Sequence, residues 1–450
     1  MSKKVLQTKK QAITLFFLCL SAIGFAGLLF VFYGFNKENP QEVYAFQNDE
    51  ENGAYTNEST KNISEEPVDN TTKNNVQSEN IGHGSDGDED TDSAVVENTT
   101  SKVVIRMVGD SLIHEPVANS GLQSDGSYNY DHLFEHIKDD IASADLAIIN
   151  QETVLGGLEI GISGYPRFNS PQEIGDAIVA TGFDVVQHAN NHAMDQDEYG
   201  LEKTMLFWDK HPEITVVGVS RSEEERNIPK IIEVNGIKIA VLSYTTSLNG
   251  LPLPTDKPWL VHMLTYDSVL RDIDQAKSMS DFVIVLPHWG VEYAHEQSNE
   301  QMNMARLMSE AGADLIIGTH PHVIQPVEWL TNEDGSRSLV YYSLGNYVSN
   351  QSMPARMLGG MAEVTIEKKQ DDGVVIAEAE IVPLVTHYEW GNLPNSYTVY
   401  KLIDYNDTLA SKNGVLREEF DSDGNKILKT FNMRWLERLS QEVLGDEWYK

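Results

Sequence analysis

Among 450 residues there is a single cysteine, Cys19. No intrachain disulfide can form, and thiolate cages for zinc or iron–sulfur clusters are excluded with it. Any metal must be held by His, Asp, Glu or Asn. Basic side chains are also scarce: 33 Lys and Arg stand against 69 Asp and Glu, a formal charge of −36. Nucleic acid is therefore not expected as a partner, because nothing would neutralise its phosphates.

Two stretches lack something more specific. Residues 12–34, "AITLFFLCLSAIGFAGLLFVFYG", carry no charge. This run exceeds the roughly 20 residues that span a bilayer, whereas a signal-peptide apolar region is typically ~7–15 long. A cleaved signal peptide is the competing reading. The length and the want of an A-x-A-like site favour an uncleaved transmembrane anchor. The "FFL" before Cys19 is no lipoprotein cleavage box. Lys3, Lys4, Lys9 and Lys10 precede the run, so residues 1–11 are expected in the cytoplasm. The protein is then a single-pass cell-membrane protein with its C-terminal part extracytoplasmic. The next segment, 35–101, has few apolar side chains. Residues 36–100 hold three lysines and sixteen acidic residues among many Asn, Ser and Thr. Such a chain cannot bury enough apolar surface to offset its ordering entropy, so a disordered acidic linker is expected.

From Val103 the texture changes. "VVIRMV", "LAIIN", "DVVQHA", "FVIVLP", "DLIIG" and "LVYYSL" are apolar runs of strand length. Between them lie helical patterns, "YDHLFEHIKDDIAS", "PQEIGDAIVATGF", "EYGLEKTMLFWDKH", "YDSVLRDIDQAKSMS" and "NEQMNMARLMSEAG". Buried strands alternating with helices predict a layered α/β fold. Asn235-Gly236 predicts a hairpin within "KIIEVNGIKIAVLSY", and a second strand pair is expected in "GGMAEVTIEKKQDDGVVIAEAEIVPL". The folded domain is expected over 102–386. A C-terminal extension, 387–450, ends in a helix with Met433, Leu436, Leu439 and Val443 near one stripe.

The strand ends are polar. They read "GDSLIH" (Asp110, His114), "NQE" (Asn150, Glu152), "ANNHAMD" (Asn190, Asn191, His192, Asp195), "PHWGVE" (His288, Glu292), "GTHPH" (His320, His322) and "SLGNY" (Asn346). Each alone has a bland account as a cap, a turn or a solvated charge. Six at successive strand ends converge on one region, because ligands of α/β sheets bind outside the carboxyl ends of the strands. Imidazole suits Zn, Mn and Fe, and carboxylate and amide oxygens suit harder ions. A carboxylate between two ions can bridge them.

Taken in order, "GDSLIH", "NQET", "ANNHAMD", "PHWGVEY", "GTHPHVIQPVE" and "YSLGNYV" resemble the CapA capsule-synthesis family, called PgsA in poly-γ-glutamate producers. That family belongs to the calcineurin-like metallophosphoesterase superfamily, so the resemblance implies a layered αββα sandwich for the CapA-like domain. It also implies a metal set of Asp110, Glu152 (bridging), Asn191, His288, His320 and His322. His192, with Asp195, is implied as catalytic, and Arg167 in "GYPRFNSP", Glu292 and Asn346 as substrate-binding. The chain departs from the superfamily pattern in two places. Ser111-Leu112 follow Asp110 where a D-x-H motif is usual, which leaves His114 as a further candidate ligand, and Glu152 replaces the bridging aspartate. One or two divalent ions, Mn, Zn or Fe, are implied. The function implied is synthesis or export of poly-γ-glutamate or a similar anionic polymer, by a metal-dependent hydrolase or transferase working with membrane synthase and export subunits. The alternative is a non-catalytic subunit that binds polymer through its metal and assembles the synthase. Residues 101–450 carry 26 basic and 53 acidic side chains. A polyanion must therefore meet a focused site rather than a broad face.

Overall fold

The computed structural model describes residues 101–369, 373–391, 396–422 and 424–449. The expected anchor at 12–34 and nearly all of the expected linker at 35–101 lie outside them. Among the described residues no helix is long and apolar enough to cross a membrane.

Among the described residues, fourteen strands build two sheets. In chain order they are β1 (Lys102–Ser111), β2 (Leu146–Gln151), β3 (Val185–Gln187), β4 (Thr215–Val217), β5 (Lys230–Val234), β6 (Ile237–Thr245), β7 (Phe282–His288), β8 (Leu315–Ile317), β9 (Val327–Thr331), β10 (Arg337–Tyr341), β11 (Asn346–Val348), β12 (Leu358–Lys369), β13 (Gly373–Glu389) and β14 (Ser396–Lys401). The first sheet runs β14-β13-β12-β1-β2-β3-β4, with β11 added to β1; the second runs β5-β6-β7-β8-β10-β9. β1 to β4 pair in parallel, as do β6, β7, β8 and β10. β12, β13 and β14 extend the first sheet antiparallel.

The period of two along each strand decides the layering. In the second sheet Ile237, Ile239, Phe282, Ile284, Leu315, Ile317, Leu339 and Tyr341 share one buried cluster with Val103, Ile105, Met107 and Ile148 of the first. Their neighbours Ala240, Leu242, Val283, Val285, Ile316 and Val340 face the other way. They pack on Val269 and Ile273 of the helix Tyr266–Met279 and on Ala305 and Met308 of the helix Asn299–Ala311. The helices Glu173–Thr181 and Asp197–Trp208 add Ile174, Ile178, Phe207 and Trp208 to the first cluster. The order is helix, sheet, sheet, helix, as expected.

Local chemistry explains the boundaries. Thr265 and Ser298 each close a capping box over the first turn of their helices, and Gly182 and Gly312 end the helices Glu173–Thr181 and Asn299–Ala311 in the left-handed conformation. The expected hairpin is present: Val234 pairs with Ile237 across Asn235 (φ 50°) and Gly236 (φ 76°), a type I′ turn. The expected second strand pair is β12 with β13. The helix expected over "YDHLFEHIKDDIAS" is instead a 3₁₀ turn at Asp131–Leu133 and a short helix at Lys138–Ala142.

Residue 386, where the folded domain is expected to end, lies inside β13. β14 pairs with that strand beyond it, and the helix Met433–Trp448 buries Leu436, Leu439, Leu444 and Trp448 in the same cluster as the sheets. Met433 and Val443 are half-buried against it.

Candidate metal centre

The carboxyl ends of β1, β2, β3, β7 and β8 meet where the two sheets face each other. Asp110 closes β1, Glu152 follows β2, Asn191 and His192 follow β3, His288 ends β7, and His320 and His322 follow β8. Asp110 Oδ1 accepts from Asn150 Nδ2 at 2.8 Å. His322 Nδ1 lies 3.1 Å from Asp110 Oδ2 and 3.1 Å from Asn346 Oδ1. His288 Nε2 lies 2.9 Å from Asn191 Oδ1 and 3.2 Å from His320 Nδ1. The same nitrogen is 3.5 Å from Glu152 Oε1, which is 3.8 Å from His322 Nε2.

Two groups of ligand atoms result, each drawn together within 4.8 Å: Glu152, His288 and His320, and Asp110, Glu152 and His322. Glu152 belongs to both. Its two carboxylate oxygens are buried and have no hydrogen-bond partner. A buried carboxylate without donors is costly, and a cation removes that cost. The donor set of imidazole, carboxylate and amide oxygen fits Mn, Zn or Fe. The residues present therefore fit divalent metal, with Glu152 between two positions.

The electrostatics agree. Burial, reinforced by the Asp110 charge, pushes Glu152 up to about 8. Burial holds His288 and His320 down at about 3, so both imidazoles are neutral and each has one nitrogen lone pair to offer a cation. Burial also pulls on His322, but Glu152 and Asp110 outweigh it and carry this imidazole up to about 9. Burial of Asp110 is opposed by the hydrogen bond and charge of His322, and its carboxyl is held below the usual range. Without a cation, the raised Glu152 keeps its proton at neutral pH, and a proton on His322 balances the Asp110 carboxylate.

Backbone strain shapes the turn after β8. His320 has φ 101° and His322 φ 59°. Side chains other than glycine seldom adopt these angles, and each costs roughly 1–3 kcal/mol. The turn aims the His320 ring at His288 and the His322 ring at Asp110, so the two imidazoles flanking Pro321 enter different groups. Gly109 permits the close approach of β1 to the strand-end loop before β11. A Cβ there would meet the Gly345 carbonyl oxygen at 1.9 Å.

His192 stands beside the metal groups. Its Nδ1 lies 2.7 Å from Asp195 Oδ2, which also accepts from the Phe168 N–H at 2.7 Å. The Phe168 ring meets the His192 ring edge-on at 4.7 Å. These contacts fix the imidazole, and among the described residues Nε2 has no hydrogen-bond partner, the geometry of a positioned acid or base.

The other expected residues fall differently. His114 belongs to neither group. Its Nδ1 lies 3.1 Å from the Leu112 carbonyl, its ring packs on Phe168, and burial lowers it to about 4. The guanidinium of Arg167 is engaged, by Asp197 at 2.9 Å and by the Asp195 carbonyl. Glu292 is exposed and outside both groups. Asn346 orients His322 rather than facing outward. Trp289, a conceivable groove wall, is core, its Nε1 donating to the Tyr342 carbonyl.

Three contributors escape sequence reasoning. Thr319 Oγ1 lies 2.9 Å from His288 Nδ1, and Asn249 Oδ1 accepts from Asn191. Arg356 stacks over Tyr293, 3.4 Å from its ring centroid. Thr319 sits inside a quoted motif and carried a signal; Asn249 and Arg356 stand outside all six motifs.

Fold and site together define an α/β protein with two candidate metal-ligand groups that share Glu152. The sequence model of the bacterial capsule synthesis protein PGA_cap matches residues 104–351, and the chain belongs to that family. It is 36% identical over 171 residues to the PGA biosynthesis protein CapA of Bacillus subtilis (strain 168), covering 38% of this chain and 43% of that protein. It is 28% identical over 296 residues to the capsule biosynthesis protein CapA of Bacillus anthracis, covering 63% and 67%. The chain thus spans under half of the first relative. Among solved structures, the NAD nucleotidase of Haemophilus influenzae aligns with TM-score 0.43 at 13% identity, over 77% of this chain and 63% of that one.

Proposed function

We propose that this chain is a membrane-anchored, extracytoplasmic component of poly-γ-glutamate capsule synthesis or export, acting on the anionic polymer as a metal-dependent hydrolase or transferase. Glu152 carries the reading. It is a buried carboxylate with no hydrogen-bond donor, shared by two clusters of imidazole and carboxylate. His288, His320, Asn191 and Glu152 would hold one divalent ion; Asp110, His322 and Glu152 would hold a second. Bound ions at such a site polarise an acyl or phosphoryl oxygen and lower the pKa of water. His192, held by Asp195, offers Nε2 to move a proton to or from the reacting group. Thr319 and Asn346 keep His288 and His322 in register.

The test is turnover by the full chain, purified in detergent with Mn or Zn and incubated with poly-γ-glutamate. Polymer length should change only with metal, and His192→Ala should slow the change by about 10²–10⁴. A metal-loaded protein that binds polymer and leaves its length unchanged would favour the second reading, a non-catalytic binding and synthase-assembly subunit. Protease added outside intact cells should cut within 35–101 and spare Lys3 to Lys10. A C-terminal domain reached only after lysis would refute the topology.

A further inference from the structure

The metal clusters supply no recognition of the rest of a polymer, and the Arg167 guanidinium is engaged by Asp197. A second guanidinium stands at the mouth of the site. Arg356 lies on the 3₁₀ turn Pro354–Met357, and its main-chain carbonyl accepts from Asn346 Nδ2 at 3.0 Å. Asn346 in turn holds His322, so the position of Arg356 is tied to the ligand shell through backbone. Its side chain is half-buried over the Tyr293 ring, 3.4 Å from the centroid. Among the described residues no carboxylate lies within ion-pair distance of it; Tyr293 and Glu292 are the groups whose charges reach it.

The platform is itself built against the centre. Tyr293 has φ 69°, and its N–H donates to the Pro321 carbonyl at 2.7 Å, between His320 and His322. Its ring lies 6.1 Å from that of His322, and 41% of the residue stays exposed. A left-handed backbone at a bulky residue persists only when its surroundings impose it. Here the result is a flat surface beside the metal ligands with a guanidinium laid on it. A stacked, partly desolvated guanidinium with no carboxylate in ion-pair contact among the described residues keeps its forked donors free for a planar oxyanion. In a domain so rich in acidic residues, it provides a local positive point against a repelling field.

We propose that Arg356, stacked on Tyr293, is the specificity residue that takes a free α-carboxylate of a γ-linked glutamyl chain next to the unit held at the metal centre. This rests on the proposed polymer substrate. The partner chemistry is a free carboxylate on the α-carbon of each unit, which a γ-linked glutamyl chain has and an α-linked chain consumes in its peptide bonds.

The experiment uses the full-length chain in detergent with Mn, and calorimetric titration with a synthetic γ-linked glutamate oligomer. The same oligomer with α-carboxamides is the control. Wild type should prefer the acid. Arg356→Met should lose about ten- to a hundredfold in affinity for the acid, the range for a charge-assisted contact. It should not change affinity for the carboxamide, and its metal content should stay at the wild-type level. Arg356→Lys, which keeps the charge but not the fork, should recover part of the loss, and Tyr293→Leu should resemble Arg356→Met. If Arg356→Met holds its metal and binds the acid like wild type, the assignment of Arg356 is overturned while the polymer reading stands. If metal-loaded wild type binds neither oligomer, the polymer reading itself fails, and this inference with it.

Discussion

Glu152 shows how much a single residue can say. A fully buried carboxylate with two idle oxygens is unstable unless something positive comes to it, and three imidazoles ring it. The supporting groups matter as much as the ligands. Thr319 fixes His288 through its distal nitrogen, so Thr319→Val should lower metal affinity by about 10–100-fold with the fold intact. Competition titration against a metal-sensitive dye would read it; unchanged affinity would refute the role. The pH behaviour has a definite sign. In metal-free protein, His322 is raised from 6.5 to about 9 and Glu152 from 4.5 to about 8. The stability that protonated His322 supplies is whole below about 6.5 and is lost as pH rises through about 9. Ionisation of buried Glu152 removes stability between about 4.5 and 8. Metal-free protein should therefore melt at lower temperature at pH 9 than at pH 6, as read by calorimetry. Metal affinity should rise over the same span, because binding displaces those protons. A flat profile would mean that neither group titrates there.

At the scale of elements, period and turn chemistry made most of the fold legible. The runs at 103–108, 146–150 and 282–287 became central strands because all their residues except Val104 and Arg106 are buried. The Asn235-Gly236 turn followed from its positive φ requirement alone. What was not legible depends on contacts far apart in sequence. "YDHLFEHIKDDIAS" has a helical pattern, yet it breaks into two short turns whose Leu133, Phe134, Ile137 and Ile141 are all buried in the tertiary core. Nothing local distinguishes Arg356 from a surface arginine, and nothing in "GYPRFNSP" reveals that Arg167 is taken by Asp197. The convergence of the six candidate ligands, by contrast, was readable as a pattern, because they lie at or shortly after strand ends, where an α/β fold gathers its chemistry; their assignment to metal came from the family resemblance. Two substitutions probe this level. Gly109→Ala forces a Cβ against the Gly345 carbonyl and should cost about 1–3 kcal/mol or more. It should also shift Asp110, so metal affinity should fall together with melting temperature. Leu436→Ala opens a void under the C-terminal helix, 40-odd residues beyond β13 in the chain. It should cost about 2–5 kcal/mol by denaturant unfolding, yet leave metal content at saturation unchanged, since that helix supplies no ligand.

For the molecule as a whole, two sheets serve as two jaws. The first brings Asp110, Glu152, Asn191 and His192, the second His288, His320 and His322, and neither sheet alone completes a ligand group. Metal binding should therefore stabilise the sandwich as a unit, since the ion binds only when both sheets are in place. The excess of acid over base sets up a field that repels polyanions from the general surface. All of this depends on the metal. The most direct measurement is metal content, by mass spectrometry, of the full-length protein purified without chelator, beside Glu152→Ala, His320→Ala and His192→Ala. Wild type should carry bound Mn, Zn or Fe; Glu152→Ala and His320→Ala should lose it and melt at lower temperature; His192→Ala should keep both metal and stability. Wild type that takes up no divalent ion at physiological concentration, or a Glu152→Ala protein with its full complement, would contradict the account.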